Sequence, residues 1–532
     1  MRITAIASLL PVLVLGLLPP TTDAAGLKTE ELLDELQERA FLYFWNEGNP
    51  SNGLVRDRST SWSPLKMAAT GFGFSAICIG IDRGWVTREA GRDRILTALR
   101  TLWTGPQGPE PSGNIGYKGF FYHFVDFETA VRTWNSDLAP IDTALLFAGI
   151  IDAKQYFSTA DSLDTEVRCL ADSILYRADW SFMYDGLGIA LTWTPEEGFP
   201  DITWLGYNEA MIMYILAIGS PTHPIPAETW NAWTGNYGWQ THYGYSFVNF
   251  PPLFGHQYSH CWIDFRNIQD AYMREKETTY HENSVRAARA QQAYCIDNPL
   301  EHIGYSGILW GLTASDGPDG YAVHGAPPAV NDDGTIAPTA AAGSIPFAPD
   351  IVIPTLHNLY DVYGHMLWGP YGFRDAFNLD RGWWGTDYIG IDQGPIIVMI
   401  ENYRTQAVWN RLMQDPDVQR GLLLAGFQSA TAVEHRPFPA SRSRLFPNTP
   451  NPFNPATEIR YVLAEDCRVR LTVHDVRGRF LATLADIRRP AGDHSVPWDG
   501  RIAGGTEAAS GAYFVRLEAG GEVLTRKLLL VR

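Results

Sequence analysis

The feature that most constrains the fold is a change of hydrophobic period near residue 430 of this 532-residue chain. Up to that point apolar residues recur every three or four positions, the spacing of one face of a helix; beyond it they alternate, the spacing of one face of a strand. Between the two, residues 429–446 form a polar stretch with several Arg and Pro. Such a stretch has too few apolar side chains for a core of its own and reads as a linker. The expected organisation is a helical domain over residues 26–428, the linker, and a strand-rich domain over 447–532.

In the first part, Thr29 ahead of Glu30 and Glu31 reads as a cap and an acidic first turn, with Leu32, Leu33, Leu36, Ala40 and Phe44 on one face. The same pattern predicts helices over 65–81, 88–103, 140–157, 162–180, 208–218, 263–294, 349–363 and 395–413. Long connections separate them at 105–127, 182–206, 230–262 and 313–348, all rich in aromatic residues and glycine. Connections of that length are usually functional or disordered, and dense Trp and Tyr argue against disorder. Helices joined by alternately short and long connections suit an all-α (α/α)6 toroid, with the long loops gathered at one mouth as cleft walls. In the last part, Val469, Leu471 and Val473 alternate with Arg470 and Thr472, and residues 512–517 and 524–531 flank Gly520-Gly521 as a hairpin. Residues 447–532 are expected to form a small all-β sandwich.

Composition narrows the function. A hydrophobic content of 45% against 19% charged residues fits a large buried core. A net charge of -18 opposes nucleic-acid binding, which requires a basic surface. The 18 Trp, 24 Tyr and 25 Phe supply faces on which sugar rings stack as well as core filling. Residues 1–25 open with Arg2, run through apolar Ile6 to Leu18 and end in Asp23-Ala24-Ala25, the pattern of a cleaved secretory signal. No later stretch is long enough to span a membrane, so a secreted, surface or periplasmic protein is expected. Five scattered cysteines lack the spacing of a disulfide framework or a structural zinc site. His256 and His260 stand four apart but without the Glu of a zinc peptidase helix, and Asp316 to Gly320 lacks the later Glu of a calcium loop and reads as a turn. Neither metal nor cofactor is expected.

Several segments carry a family resemblance. They are Phe41-Leu42-Tyr43-Phe44-Trp45, Gly53-Leu54-Val55-Arg56-Asp57-Arg58, Ile141-Asp142-Thr143-Ala144-Leu145-Leu146, Tyr207-Asn208-Glu209-Ala210, Trp262-Ile263-Asp264-Phe265-Arg266, Trp310-Gly311-Leu312-Thr313-Ala314-Ser315-Asp316-Gly317 and Gly390-Ile391-Asp392-Gln393-Gly394-Pro395. In this order they resemble the bacterial glucoamylase-like proteins that include endo-β-1,2-glucanases. The resemblance implies an (α/α)6 barrel and inverting hydrolysis of β-1,2-linked glucose polymers. Pro450-Asn451-Pro452-Phe453-Asn454-Pro455, Gly478-Arg479, Trp498-Asp499-Gly500 and Ser510-Gly511-Ala512-Tyr513 resemble the immunoglobulin-like modules related to a flagellar-hook assembly domain. Such modules end many secreted proteins, which implies a partner in the secretion machinery.

Inverting hydrolysis needs one carboxylic acid to protonate the leaving oxygen and one carboxylate to activate water, about 6.5–9.5 Å apart. Asp142, Glu209 and Asp392 each stand at or near the start of a strongly apolar predicted helix, where a carboxylate can face a cleft but can also simply complement the helix end. Glu209, between the cap residue Asn208 and an apolar run, is the candidate general acid, since apolar surroundings raise a carboxyl pKa. Asp392, between Gly390 and Gly394, is the candidate base, although it can equally cap a helix beginning near Pro395. Asp142 is an auxiliary or sugar-binding carboxylate, and Asp137 or Asp142 can replace either of the first two. Arg56, Asp57, Trp262, Arg266, Trp310, Asp316 and Tyr321 lie in the matching segments as candidate substrate contacts, or alternatively as ordinary structural pairs and core. Two rivals remain open at this level: a polysaccharide lyase on the same toroid, and a non-catalytic carbohydrate-capturing surface protein.

Overall fold

A computed structural model describes residues 27–430 and residues 443–531 apart from 447, 449, 450, 464 and 504. The expected signal segment and most of the expected linker lie outside the described residues. The longer helices are α1 (Thr29–Asn46), α2 (Met67–Asp82), α3 (Arg88–Thr104), α4 (Pro140–Tyr156), α5 (Ser162–Arg177), α6 (Met211–Gly219), α7 (Tyr280–Asp297), α8 (Pro349–Leu367), α9 (Gly390–Arg404) and α10 (Pro416–Leu424).

They fall into two kinds. Helices α2, α4, α6 and α9 are buried over almost their whole length: Met67 to Gly80, Pro140 to Ala153, all of Met211 to Gly219, and Asp392 to Asn402. By contrast α1, α3, α5 and α8 bury one stripe each, such as Ile95, Leu96, Leu99 and Leu102 of α3 or Val167, Ala171 and Ile174 of α5. Helices that are apolar all round must sit inside, and striped ones must cover them. Packing follows: α2 lies against α4 and α9, while α3 lies against α5. The α2–α4 contact is backbone on backbone, because a side chain on Gly71 would meet the Leu145 carbonyl and one on Gly149 would meet the carbonyl of Gly71.

Several predicted boundaries move. The first cap is Lys28 rather than Thr29, with Glu31 reaching back to its amide. The helix expected over 263–294 is a short Ala271–Glu275 turn followed by α7. The helix expected to start at Pro395 starts at Gly390, and Pro395 sits in its second turn. Proline removes the amide that would bond the Ile391 carbonyl. That carbonyl instead accepts the Tyr258 hydroxyl at 3.1 Å. Within Asp316 to Gly320 only Pro318 and Asp319 form the turn, which closes the hairpin of Ala314–Gly317 and Gly320–Val323.

The C-terminal part forms strands β1 (Arg444–Leu445), β2 (Thr457–Leu463), β3 (Cys467–Asp475), β4 (Phe480–Arg489), β5 (Gly492–Trp498), β6 (Gly511–Ala519) and β7 (Glu522–Leu530). They make two sheets, β1-β2-β5 and β4-β3-β6-β7. Val469, Leu471, Val473, Val515, Leu517 and Leu530 form a separate core with Ile459, Tyr461 and Trp498. Gly520 and Gly521, both at positive φ, close the β6–β7 hairpin, as the two-residue turn requires. Ser429 still pairs with Ile268, so the helical part's contacts reach the first residue of the expected linker. No helix among the described residues is long and apolar enough to cross a membrane.

Candidate active site

A cleft of about 610 Å³ opens beside the N-terminal ends of α2 and α9, lined in part by Asp57, Lys66, His123, Asp316, Tyr321 and Ile391. The long loops build its walls. Arg58 sits at their junction, with Nη1 3.1 Å from Asp316 and 3.2 Å from Asp387 and Nε 3.5 Å from Asp57. Lys66 Nζ is 3.5 Å from the other oxygen of Asp57. Two cations thus tie three carboxylates from distant parts of the chain into one frame. Tyr321 stands opposite Asp316 in the hairpin register.

Beneath that frame lies a buried pair of carboxyls. Asp375 accepts the Asp316 amide at 2.6 Å on one oxygen; its other oxygen and Oδ2 of Asp392 face no other protein donor, and the two carboxyls hydrogen-bond each other when one is protonated. Burial, reinforced by repulsion from Asp316, raises Asp375 to about 7. Burial, and then Asp375 itself, holds Asp392 well above the usual carboxylate range. Two buried carboxyls this close titrate as a unit and retain a proton between them. Asp392 lies in the first turn of α9 but does not cap it, since the cap residue is Ile389 and no side-chain cap bond forms.

Glu209 stands two residues before α6 on a turn that Asn208 closes by accepting the Ala210 amide, while Ser259 donates its hydroxyl to the Glu209 carbonyl. Burial raises the Glu209 carboxyl to about 7, with repulsion from Asp142 adding to the shift. Asp142, in the first turn of α4, is 3.6 Å from His123 Nδ1, and burial pushes that imidazole below its usual value against the pull of Asp142. Tyr258 lies within electrostatic reach of both Glu209 and Asp392, and Tyr321 of Asp392. The structure therefore brings together Glu209, Asp392, Asp142, Asp57, Asp316 and Tyr321.

The other expected contacts lie elsewhere. Trp262 is wholly buried, stacked on Phe72 at 4.6 Å and donating its indole N–H to Ser75. Trp310 is likewise wholly buried. Neither ring has a face to offer a sugar. Arg266 is held by Asp264 at 2.7 Å and covers Trp409, a structural arrangement. Arg56 donates to the carbonyls of Ser61 and Ser63 and lies over Phe127, so it braces a cleft loop rather than a ligand. Arg58, Lys66, His123, Tyr258 and Asp375 were not singled out by sequence reasoning. For Asp375 the signal was available: an acidic residue between Phe373 and Phe377, in a segment whose phenylalanines are buried. His256 and His260 are buried and bonded to the Phe250 carbonyl and the Ser284 hydroxyl, and no cluster of three metal-ligating side chains occurs among the described residues.

The raised Glu209 pKa carries a stability consequence. An unfolded glutamate titrates near about 4.3, so the folded state binds the proton more tightly and loses stability as pH rises toward and through 7. Glu209→Gln removes that loss. At pH 8 the variant should be more stable than the parent by about 1–2 kcal/mol, allowing for partial exposure, and equal to it below about pH 4. Thermal unfolding at the two pH values measures this, and a variant less stable at pH 8 would show that the carboxylate is well solvated there.

Comparison with known proteins places the chain. Residues 201–416 match the family model described as "Putative glucoamylase", and residues 455–522 match the FlgD Ig-like domain. A solved "putative glucoamylase" from Bacteroides uniformis is 36% identical, with a TM-score of 0.70 over 76% of this chain and 98% of that one. An endo-β-1,2-glucanase from Chitinophaga pinensis, solved with sophorotriose and glucose, is 30% identical with a TM-score of 0.68 over 76% and 99%. An exo β-1,2-glucooligosaccharide sophorohydrolase acting at the non-reducing end, from Parabacteroides distasonis, is 34% identical over a 430-residue alignment that covers 74% of this chain but only 57% of that relative's length. With this identity across nearly the whole of its solved relatives, the chain belongs to the glucoamylase-like family and carries a FlgD Ig-like domain after its helical part.

Proposed function

We propose that the chain is an exported, inverting glycoside hydrolase of β-1,2-glucan or its oligosaccharides. Its fold would be an (α/α)6 toroid over residues 26–428, with residues 1–25 as the export signal, 429–446 as a linker and 447–532 as a module read by the secretion machinery. The alternation of all-apolar and striped helices supports the toroid, and the two relatives that act on β-1,2-glucans support the substrate. The observation that carries the chemistry is Glu209, a carboxyl beside Asp142 and Tyr258 that burial brings to about 7. Such a group is about half protonated at neutral pH, where an ordinary glutamate is almost fully ionised, and can hand its proton to a leaving oxygen. Asp392 would activate water once the Asp375–Asp392 pair has released its proton. The acid works only while protonated and the base only after ionising, which confines activity to a band near neutrality.

The cleft disfavours the lyase reading. A uronate substrate needs cationic surroundings, yet Asp57, Asp316, Asp387, Asp375 and Asp392 outnumber Arg58 and Lys66. A capture protein, for its part, has no use for carboxyls buried at the cost of their solvation.

Incubation with β-1,2-glucan, starch and other β-glucans, with products sized and their anomers read by NMR, tests the proposal. The full chain should release new reducing ends from β-1,2-glucan with inversion, and a chain ending at residue 446 should do the same, because no cleft carboxylate lies beyond Asp392. Unsaturated products would establish a lyase instead. A folded but inactive shortened chain would show that the C-terminal module completes the cleft.

A further inference from the structure

Two of the most exposed large side chains in the helical part are tryptophans of one cleft wall, Trp62 at 65% and Trp134 at 58% exposure. Exposed indoles are costly in water unless something covers them in use. Their ring centroids are 6.1 Å apart, and Trp134 meets the edge of Phe124 at 5.6 Å. Phe124 adjoins His123, and Lys66 Nζ lies 5.4 Å from its ring centre. The three rings therefore form a path leading to Asp57, which pairs with Lys66, and to Asp142, which faces His123.

The path is held rigid by devices that bury nothing of the two indoles. Arg56 grips the Trp62 loop through the Ser61 and Ser63 carbonyls at 2.8 and 3.0 Å. Arg132, itself buried, grips the Trp134 loop through the Ser136 carbonyl at 2.6 Å and is locked by the Pro111 carbonyl and by both oxygens of Glu196. Trp134 has φ of +55° and Asn135 +52°. A left-handed backbone is unfavourable for a bulky aromatic residue, and such strain persists where the surroundings over-determine it. Here it displays an indole to the cleft rather than packing it.

The geometry points to Trp62 and Trp134 as a sugar-binding platform, a subsite away from the carboxylates that takes one glucopyranosyl unit of the chain by face-on stacking. A sandwich is excluded by distance. Aromatic carbon and sugar carbon approach to about 3.5–4.0 Å, so a ring held between two indoles needs roughly 7–8 Å, more than the 6.1 Å present. A single apolar face suits a pyranose whose hydroxyls are all equatorial, since its axial C–H bonds then lie against the ring and its hydroxyls point to water. This inference rests on the saccharide reading of the cleft, and the test separates the two.

In a Glu209→Gln background, which slows turnover, titration with β-1,2-glucan and with linear β-1,4- and β-1,3-glucooligosaccharides is followed by calorimetry. Trp62→Ala and Trp134→Ala should each weaken binding of the preferred chain about ten-fold, the usual loss of one aromatic anchor, with Trp134→Phe recovering most of it. Trp134→Gly should lose the same affinity while holding or raising the melting temperature, because it removes ring and strain together. Trp103→Ala, another exposed tryptophan that does not line the cleft, should bind like the parent. Unchanged affinity in both Ala variants overturns the platform, even if β-1,2-glucan proves to be the substrate. If some saccharide binds and the Ala variants lose it, but the wild-type chain cleaves none, the platform stands and the hydrolase reading falls. If no saccharide binds, both fall.

Discussion

Glu209→Gln and Asp392→Asn should each lower turnover of β-1,2-glucan by about two to four orders of magnitude, the range typical of losing a general acid or base. The amides keep size and most hydrogen bonding, so KM should stay close to wild type and the loss should appear in kcat. For Glu209 the argument is direct: the glutamine cannot supply the proton that the buried carboxyl retains near neutrality. For Asp392 the argument is that an asparagine cannot ionise and so cannot take the proton of the attacking water. Steady-state kinetics and anomeric analysis check this. Near wild-type turnover in either variant would reduce that residue to a helix-end carboxylate and move attention to Asp142 or to Asp137, whose carbonyl already accepts the His123 amide at 2.8 Å. Retention of configuration would remove the water-activating role, since retention needs a nucleophile at closer spacing.

Gly149→Ala should destabilise the helical part by about 3 kcal/mol or more, beyond the usual range for an added methyl in a packed core. The added β-carbon would overlap the carbonyl of Gly71, and a backbone atom of a buried helix cannot rotate away as a side chain would. The helices α2 and α4 must separate along their length. Both end at the cleft, with Lys66 just ahead of one and Asp142 in the first turn of the other, so surviving folded protein should also lose activity. Denaturant unfolding followed by circular dichroism reads the stability loss. As a comparison, Gly84→Ala, at a positive-φ glycine with open space around it, should cost only the backbone strain of a left-handed alanine. A Gly149→Ala protein as stable as wild type would mean that the two backbones are further apart than described.

Striped helices were legible because an amphipathic face repeats: α1, α3 and α5 lie within a few residues of where periodicity puts them. The all-apolar helices give no stripe to bound them, so their ends were read from proline and glycine instead. That failed at Pro395, where Tyr258 from another segment occupies the carbonyl the proline frees and lets the helix begin a turn earlier. Carboxylates at the starts of apolar runs were visible as candidates; in the structure Asp142 lies within electrostatic reach of Glu209, and Glu209 and Asp392 both lie within reach of Tyr258. Asp375 and Arg58 stand on loops whose three-dimensional convergence leaves no periodic mark. Tryptophan content misled at Trp262 and Trp310, which fill the core, while the immediate neighbours were informative. Trp62 between Ser61 and Ser63, and Trp134 between Thr133 and Asn135, have no apolar company with which to be buried.

The cleft carboxylates come from positions 57, 142, 209, 316, 375 and 392, spread over most of the helical part. On the proposed reading no short contiguous fragment holds the acid, its partner and the frame around them, so a nascent or truncated chain ending before α9 should lack activity. On that reading activity should appear only when the last of these segments docks. Conversely, a protease cut in the exposed turn after Glu196 should leave the flanking segments in place through packing. A nicked protein of two associated fragments should therefore retain its cleft, which makes covalent continuity of the backbone a requirement for assembly but not for the assembled catalyst.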